Sequence, residues 1–182
     1  MVPVEVLYVF LLTLFGVIGT ARKFPMELGA TIGFTAMLFS LLLGDDFLGR
    51  ASARAAGLLG IDASDALVRW FAISAFIALW VAFMYIGQTL TFAGAWPPSR
   101  VVGSLLDAGI GVFNGWLVVG TWWHYSHALG YPMQDLGWIG PPLSERAAAW
   151  VALTPPAVLP ESHGLWIVCS FLVFLLALRV FR

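Results

Sequence analysis

Five apolar runs dictate what this chain can become, and the cleanest, Trp70 to Phe92, contains no Asp, Glu, Lys or Arg. Hydrocarbon offers no partner to a free peptide group, so such a run closes its own hydrogen bonds as a helix. About 20 residues rising about 1.5 Å each cover the roughly 30 Å of a bilayer core. The other runs are Val2 to Thr20, Met26 to Leu43, Val101 to Trp123 and Leu165 to Phe181. Pro25 opens the second, where its missing donor costs nothing, and Asp45 with Asp46 is expected to stop it. Composition agrees: 60% of the 182 residues are hydrophobic and 10% are charged, against about 25% charged in soluble domains. The expected fold is an all-α integral membrane protein, a polytopic bundle of about five transmembrane helices.

Glu5 interrupts the first run only near its outer end and Arg22 with Lys23 follows it, the reverse of a secretory signal, so this segment is expected to stay attached. Lysine and arginine mark cytoplasmic turns. Placing Arg22 and Lys23 inside brings Arg100, Arg179 and Arg182 to the same side, and sends Asp45, Asp46, Asp62, Asp65, Asp135, Glu145 and Glu161 to the other together with Arg50, Arg54 and Arg146, while Arg69 at the outer mouth of the third run weakens the rule without reversing it. The expectation is a bacterial inner-membrane protein with its N-terminus outside and its C-terminus cytoplasmic.

Outside the runs, residues 45–65 hold Arg50 and Arg54 four apart opposite Leu48, Ala55 and Leu58, the pattern of a helix lying in the interface; an ordinary solvated connector fits as well. Residues 126–163 form a proline-rich outer-side loop in which Ser144 can cap a short helix running to Leu153.

The fourth run carries the polar groups. At 100° per residue, Arg100, Gly103, Asp107, Gly111 and Asn114 share one stripe, with Leu105, Val112, Phe113 and Trp116 opposite. Gly103, Gly111 and Gly115 let another backbone approach closely, the usual route to helix association in lipid. The expected neighbours are another copy or another membrane protein. Asp107 lies roughly 9 Å along the helix from Val101, at the hydrocarbon boundary, and must face protein or water. It serves either as a hydrogen-bonded packing group satisfied by a neighbour such as Gln88 or Ser104, as a contact to a partner, or as a proton relay. His124 and His127 stand three apart and could share a direction. They are weak candidates for metal, haem or quinone binding, and an interfacial aromatic-belt position beside Trp122 and Trp123 is the plainer explanation. No cofactor is expected. One cysteine, Cys169, excludes an internal disulfide framework. A net charge of −1 without a basic stripe excludes nucleic acid as a partner. No nucleophile elbow, HExxH or phosphate loop is present, so the chain is expected not to be an enzyme.

Over residues 1–125 the chain resembles the colicin V production protein (CvpA-like) family of bacterial inner-membrane proteins. The resemblance rests on Glu5, the run to Gly19, Arg22 with Lys23 where that turn usually carries glycine, and Glu27 in the next helix. Arg100, Gly103 and Gly111 in RVVGSLLDAGIGVFNG complete it. It implies a four-span membrane domain over 1–125, to which 164–182 adds a fifth helix. It also implies a connection with toxin production or export and envelope maintenance, and it supplies no catalytic residue. The alternatives are a redox-complex anchor using His124 and His127, or a small proton-conducting unit using Asp107.

Overall fold

A computed structural model describes residues 2–60, 64–86, 100–134, 136–160 and 162–180. The long helices are α1 (Val4–Arg22), α2 (Phe24–Leu59), α3 (Asp65–Ile86) and α4 (Arg100–Gly115), the last continuing through a wider π turn at Trp116–Gly120 into α5 (Thr121–Ala128). Among the described residues four helices are long and apolar enough to cross a membrane: Val4–Arg22, Phe24–Leu58, Asp65–Ile86 and Val101–Ala128. The remaining apolar helix, α8 (Gly164–Val180), has 17 residues, which spans about 26 Å and falls short of the length expected for a fifth crossing. The end of the third run, 87–92, lies outside the described residues.

The two ends of the bundle differ in chemistry. At one end the Arg22 guanidinium donates to the Tyr85 carbonyl (3.4 Å) and the Phe24 amide donates to Asp107 Oδ1 (2.6 Å), so the α1–α2 turn meets the end of α3 and the start of α4. At the other, Arg69 pairs with Asp45, Trp70 Nε1 donates to Ser126 Oγ, and the Val2 amide donates to the Trp138 carbonyl. Between them α2 is the central helix. Phe34, Met37 and Leu41 are fully buried against Ile73 and Ile77 of α3 and Leu117 to Val119 of the π turn. Trp80 Nε1 donates to the Gly33 carbonyl (2.9 Å), and Met84 fills the space above Gly33. Leu175 of α8 packs on Ile32 of α2.

Asp45 and Asp46 do not end α2, which runs on for 36 residues. Residues 45–59 therefore continue α2 rather than forming a separate helix. The stretch has no proline to remove a donor, Arg69 neutralises Asp45 at 2.6 Å, and the helix stops where Gly60 takes a left-handed conformation (φ 65°).

The proline-rich segment is folded. Val2–Pro3 (β1) and Ile139–Gly140 (β2) pair in parallel. Ser144 Oγ accepts from the Ala147 amide (3.1 Å) and caps α6 (Glu145–Ala149), and a 3₁₀ turn carries the chain to Leu153. After α7 (Pro155–Val158) the chain turns into α8. Glu5 Oε1 accepts from the Leu143 amide (2.9 Å), and Trp116 Nε1 donates to the Leu153 carbonyl (2.8 Å). The segment is a lid on the end of the bundle, where Trp150 meets Trp123 edge to face with ring centroids 6.4 Å apart.

Candidate functional site

The most concentrated buried polarity lies at the α1–α2 turn. Arg22 closes α1, Lys23 makes the turn, and Phe24 and Pro25 begin α2, which places Glu27 in its first turn. A carboxylate there is favoured by the helix dipole. Glu27 is fully buried and its carboxylate is shared among three other helices. Oε1 accepts from Arg22 Nε (2.8 Å), and Oε2 accepts from Asn114 Nδ2 (2.8 Å) and Tyr85 Oη (3.3 Å). Asn114 Nδ2 also donates to the Glu27 carbonyl (3.0 Å), and Thr31 Oγ1 lies 2.7 Å from Asn114 Oδ1 and 3.0 Å from that same carbonyl. The Arg22 guanidinium sits 4.7 Å over the Tyr85 ring, close enough for cation–π attraction. Each partner comes from a different helix, so the cluster ties α1, α2, α3 and α4 together.

Asp107 occupies the neighbouring level and is nearly as buried. It caps α2 from outside: Oδ1 takes the Phe24 amide, one of the donors every helix start leaves unpaired. Oδ2 stands 3.4 Å from Lys23 Nζ. Its neighbours are therefore Phe24 and Lys23; Gln88 lies outside the described residues.

Glycine makes this reach available. A Cβ on Gly111 would meet the Phe15 carbonyl oxygen and stand 2.9 Å from Gly19 Cα, and one on Gly115 would stand 2.8 Å from Phe15 Cβ. Backbone meets backbone at Gly19 and Gly111. The glycine stripe of the fourth helix is thus occupied by α1 of the same chain, not offered to another copy. Gly103 is buried on the same face, with Leu105 and Val112 on the exposed one.

The turn itself is strained. Lys23 has φ 74° and ψ 151°, a region that only glycine adopts freely, at about 1–3 kcal/mol for other residues. Its ion pair offsets little, because the lysine side chain is 65% exposed and such pairs are worth up to about 1 kcal/mol. Lys23→Gly is expected to raise stability by about 1 kcal/mol, read as a higher denaturant midpoint in detergent. A lowered midpoint would mean that the ion pair outweighs the backbone.

At the opposite end the two histidines part company. His124 Nδ1 lies 3.4 Å from Thr154 Oγ1, while His127 Nδ1 lies 3.2 Å from Tyr131 Oη. Their Nδ1 atoms are held by different partners. No group of three His, Cys, Asp or Glu side chains able to hold a metal occurs among the described residues. Burial pushes the Tyr131 phenol up, the Trp123 hydrogen bond opposes this, and Glu5 adds to it. Glu5 binds the lid and takes no part in the Glu27 cluster. Arg100 begins α4.

Thr31 and Tyr85 were not singled out in the sequence, and Asp45 and Arg69 stood there only as charges at the ends of runs, not as a pair. Thr31 follows Glu27 by four residues, which gave a usable signal. Tyr85 and Arg69 are recruited across helices, and nothing local announces them. Compared with known proteins, the chain matches no family model, no curated protein and no solved structure.

Proposed function

We propose that this chain is a non-enzymatic, multi-pass protein of the bacterial inner membrane that acts by assembling with itself or with other membrane proteins. The observation that carries this reading is the fate of the buried ionisable groups. Glu27, Arg22 and Asp107 are each held by a partner from another element, as in a rigid scaffold, whereas a relay needs groups in register that can pass a proton on. The proton-conducting alternative loses its main support, because Asp107 is committed to the Phe24 amide and Lys23. The redox-anchor alternative needs His124 and His127 to act together, and their partners differ.

Five spans follow if α8 crosses as well. It runs beside α2 from the level of Asp45, where Gly164 and Leu165 share a cavity with that residue, to the level of Ile32 beside Leu175. Arg179 near its end can extend to the headgroups and lengthen its reach. The N-terminus is then outside and the C-terminus cytoplasmic. The CvpA-like reading draws on the same junction: the turn holds the glycine-type backbone at Lys23, Arg22 pairs with Glu27 across it, and Gly111 packs on Gly19 in the helix that leads into it. On that resemblance the assembly serves colicin V production or export, or envelope maintenance.

The test is gentle extraction followed by mass determination and a pigment spectrum. A defined oligomer or stoichiometric complex without a Soret band is expected. A pigment-bearing preparation, or a lone chain whose proton flux in liposomes is lost in Asp107→Asn, would overturn the proposal.

A further inference from the structure

At the lid end, α2, α3, α5 and α8 surround a cavity of about 410 Å³. Its polar wall is Asp45, Arg69, His124 and Tyr125, and leucines such as Leu42 and Leu165 line the rest. Asp45 lies 21 residues beyond Phe24 on one continuous helix, about 32 Å at 1.5 Å per residue. If the Arg22 turn marks one face of the hydrocarbon, the Asp45 level is therefore the other face, where headgroups begin.

The charged pair in this wall has hydrogen-bonding capacity to spare. Arg69 and Asp45 meet through one contact, Nη2 to Oδ2 at 2.6 Å, and each side chain keeps about a third of its surface open (32% and 31%). Arg69 Nε and Asp45 Oδ1 have no hydrogen-bond partner among the described residues but are shielded from solvent, with Arg69 Nε toward Gly49, so the capacity a ligand can reach is that of the other guanidinium N–H groups and of Asp45 Oδ2. A guanidinium has five donors and a carboxylate about four acceptor sites, so a single end-on contact leaves most of both unused. His124 adds an acceptor. Thr154 spends its proton on the Val151 carbonyl (2.6 Å) and can only accept from His124 Nδ1, which leaves Nε2 of the neutral ring with a lone pair.

A ligand matching this wall carries an anionic group for Arg69 and an N–H-donating cation for Asp45 and His124, joined to an apolar body that lies along the leucines. We propose that the cavity binds a phospholipid with a phosphoethanolamine headgroup, its phosphate on Arg69 and its ammonium on Asp45. A choline headgroup has the charge but no N–H to donate, and a phosphoglycerol headgroup has no cation. The site thus discriminates by hydrogen bonding rather than by charge alone. This inference rests on the membrane reading of the chain.

The experiment uses the delipidated full-length protein in a maltoside detergent, titrated with dioleoyl phosphatidylethanolamine, phosphatidylcholine or phosphatidylglycerol and read by native mass spectrometry. The ethanolamine lipid is expected to bind roughly tenfold more tightly than either of the others, the scale of one charge-assisted hydrogen bond. Asp45→Asn is expected to remove that preference, with phosphatidylglycerol then binding at least as tightly as the ethanolamine lipid because Arg69 has lost its counter-charge. Leu165→Trp, which fills the cavity without touching the ion pair, is expected to remove the tight site while the helix content and melting temperature stay as in the parent. Equal binding of the three lipids, or a preference that survives Asp45→Asn, overturns the assignment and leaves the membrane reading intact. Glycerophosphoethanolamine binding as tightly as the whole lipid overturns the apolar half of the site. A protein that takes up no lipid and stays dispersed without detergent overturns both readings together.

Discussion

Gly111→Leu is expected to lose the native bundle. The space a side chain would need is already filled by backbone: the Phe15 carbonyl oxygen and Gly19 Cα of α1. Backbone cannot change rotamer to make room, so α1 and α4 must separate. Overpacking alone costs about 1–3 kcal/mol. A shift of α4 away from α1 also disturbs the adjoining α2–α4 contact, where Asp107 accepts from the Phe24 amide and Asn114 donates to Glu27 at 2.6 and 2.8 Å. Each bond lost there adds about 1–3 kcal/mol, so the total reaches into the 5–15 kcal/mol that holds a typical domain together. Gly109→Leu is the control, because a Cβ there has nothing within 4 Å and a surface change of this kind stays within about 0.5 kcal/mol. Denaturation in mild detergent decides it. A Gly111→Leu protein that unfolds at the parental midpoint but changes its oligomer size would show that the stripe faces another copy after all.

That contrast marks where sequence reading succeeds and where it stops. The 100° rotation per residue places Gly103, Asp107, Gly111 and Asn114 on one face, and all four are buried. Periodicity identifies a face without naming what covers it, so α1 of the same chain could not be told from a second molecule. Ser144 was legible as a cap because its partner, the Ala147 amide, is three residues away. Glu27 and Arg22 were legible as a pair for the same reason, five residues apart across a turn. Asn114 and Tyr85, which complete the Glu27 cluster, are 87 and 58 residues distant, and only the packing of helices brings them there. The second helix outran its expected end because Asp45 and Asp46 were read as a stop, whereas a charge ends a membrane run without ending a helix. The lid escaped for a related reason: six prolines between His127 and Gly164 suit a loop, yet several of them sit at helix starts and corners, where proline is at home.

Glu27→Ala is expected to cost about 3–5 kcal/mol, the range for breaking one side of a buried ion pair, and the lower half applies because the Arg22 side chain keeps 26% of its surface open. The loss comes from what is left behind. Arg22 keeps its place over the Tyr85 ring without a counter-charge, and the Tyr85 hydroxyl loses its acceptor. Asn114 retains the Glu27 backbone carbonyl and Thr31, so its share of the loss is smaller. Glu27→Gln separates charge from shape: the amide oxygen can still accept a hydrogen bond, but the charge opposite Arg22 is gone, and a cost of about 1–2 kcal/mol follows. The decisive comparison is Arg22→Met with Glu27→Leu. Replacing both members of a buried pair by apolar groups of similar volume is often neutral or stabilising, so the double variant is expected to recover most of what Glu27→Ala loses. If instead the double variant is as unstable as Glu27→Ala, the loss stems from the carboxylate's bonds to Asn114 and Tyr85 rather than from the stranded charge. The cluster would then be a hydrogen-bond junction in which Arg22 is incidental.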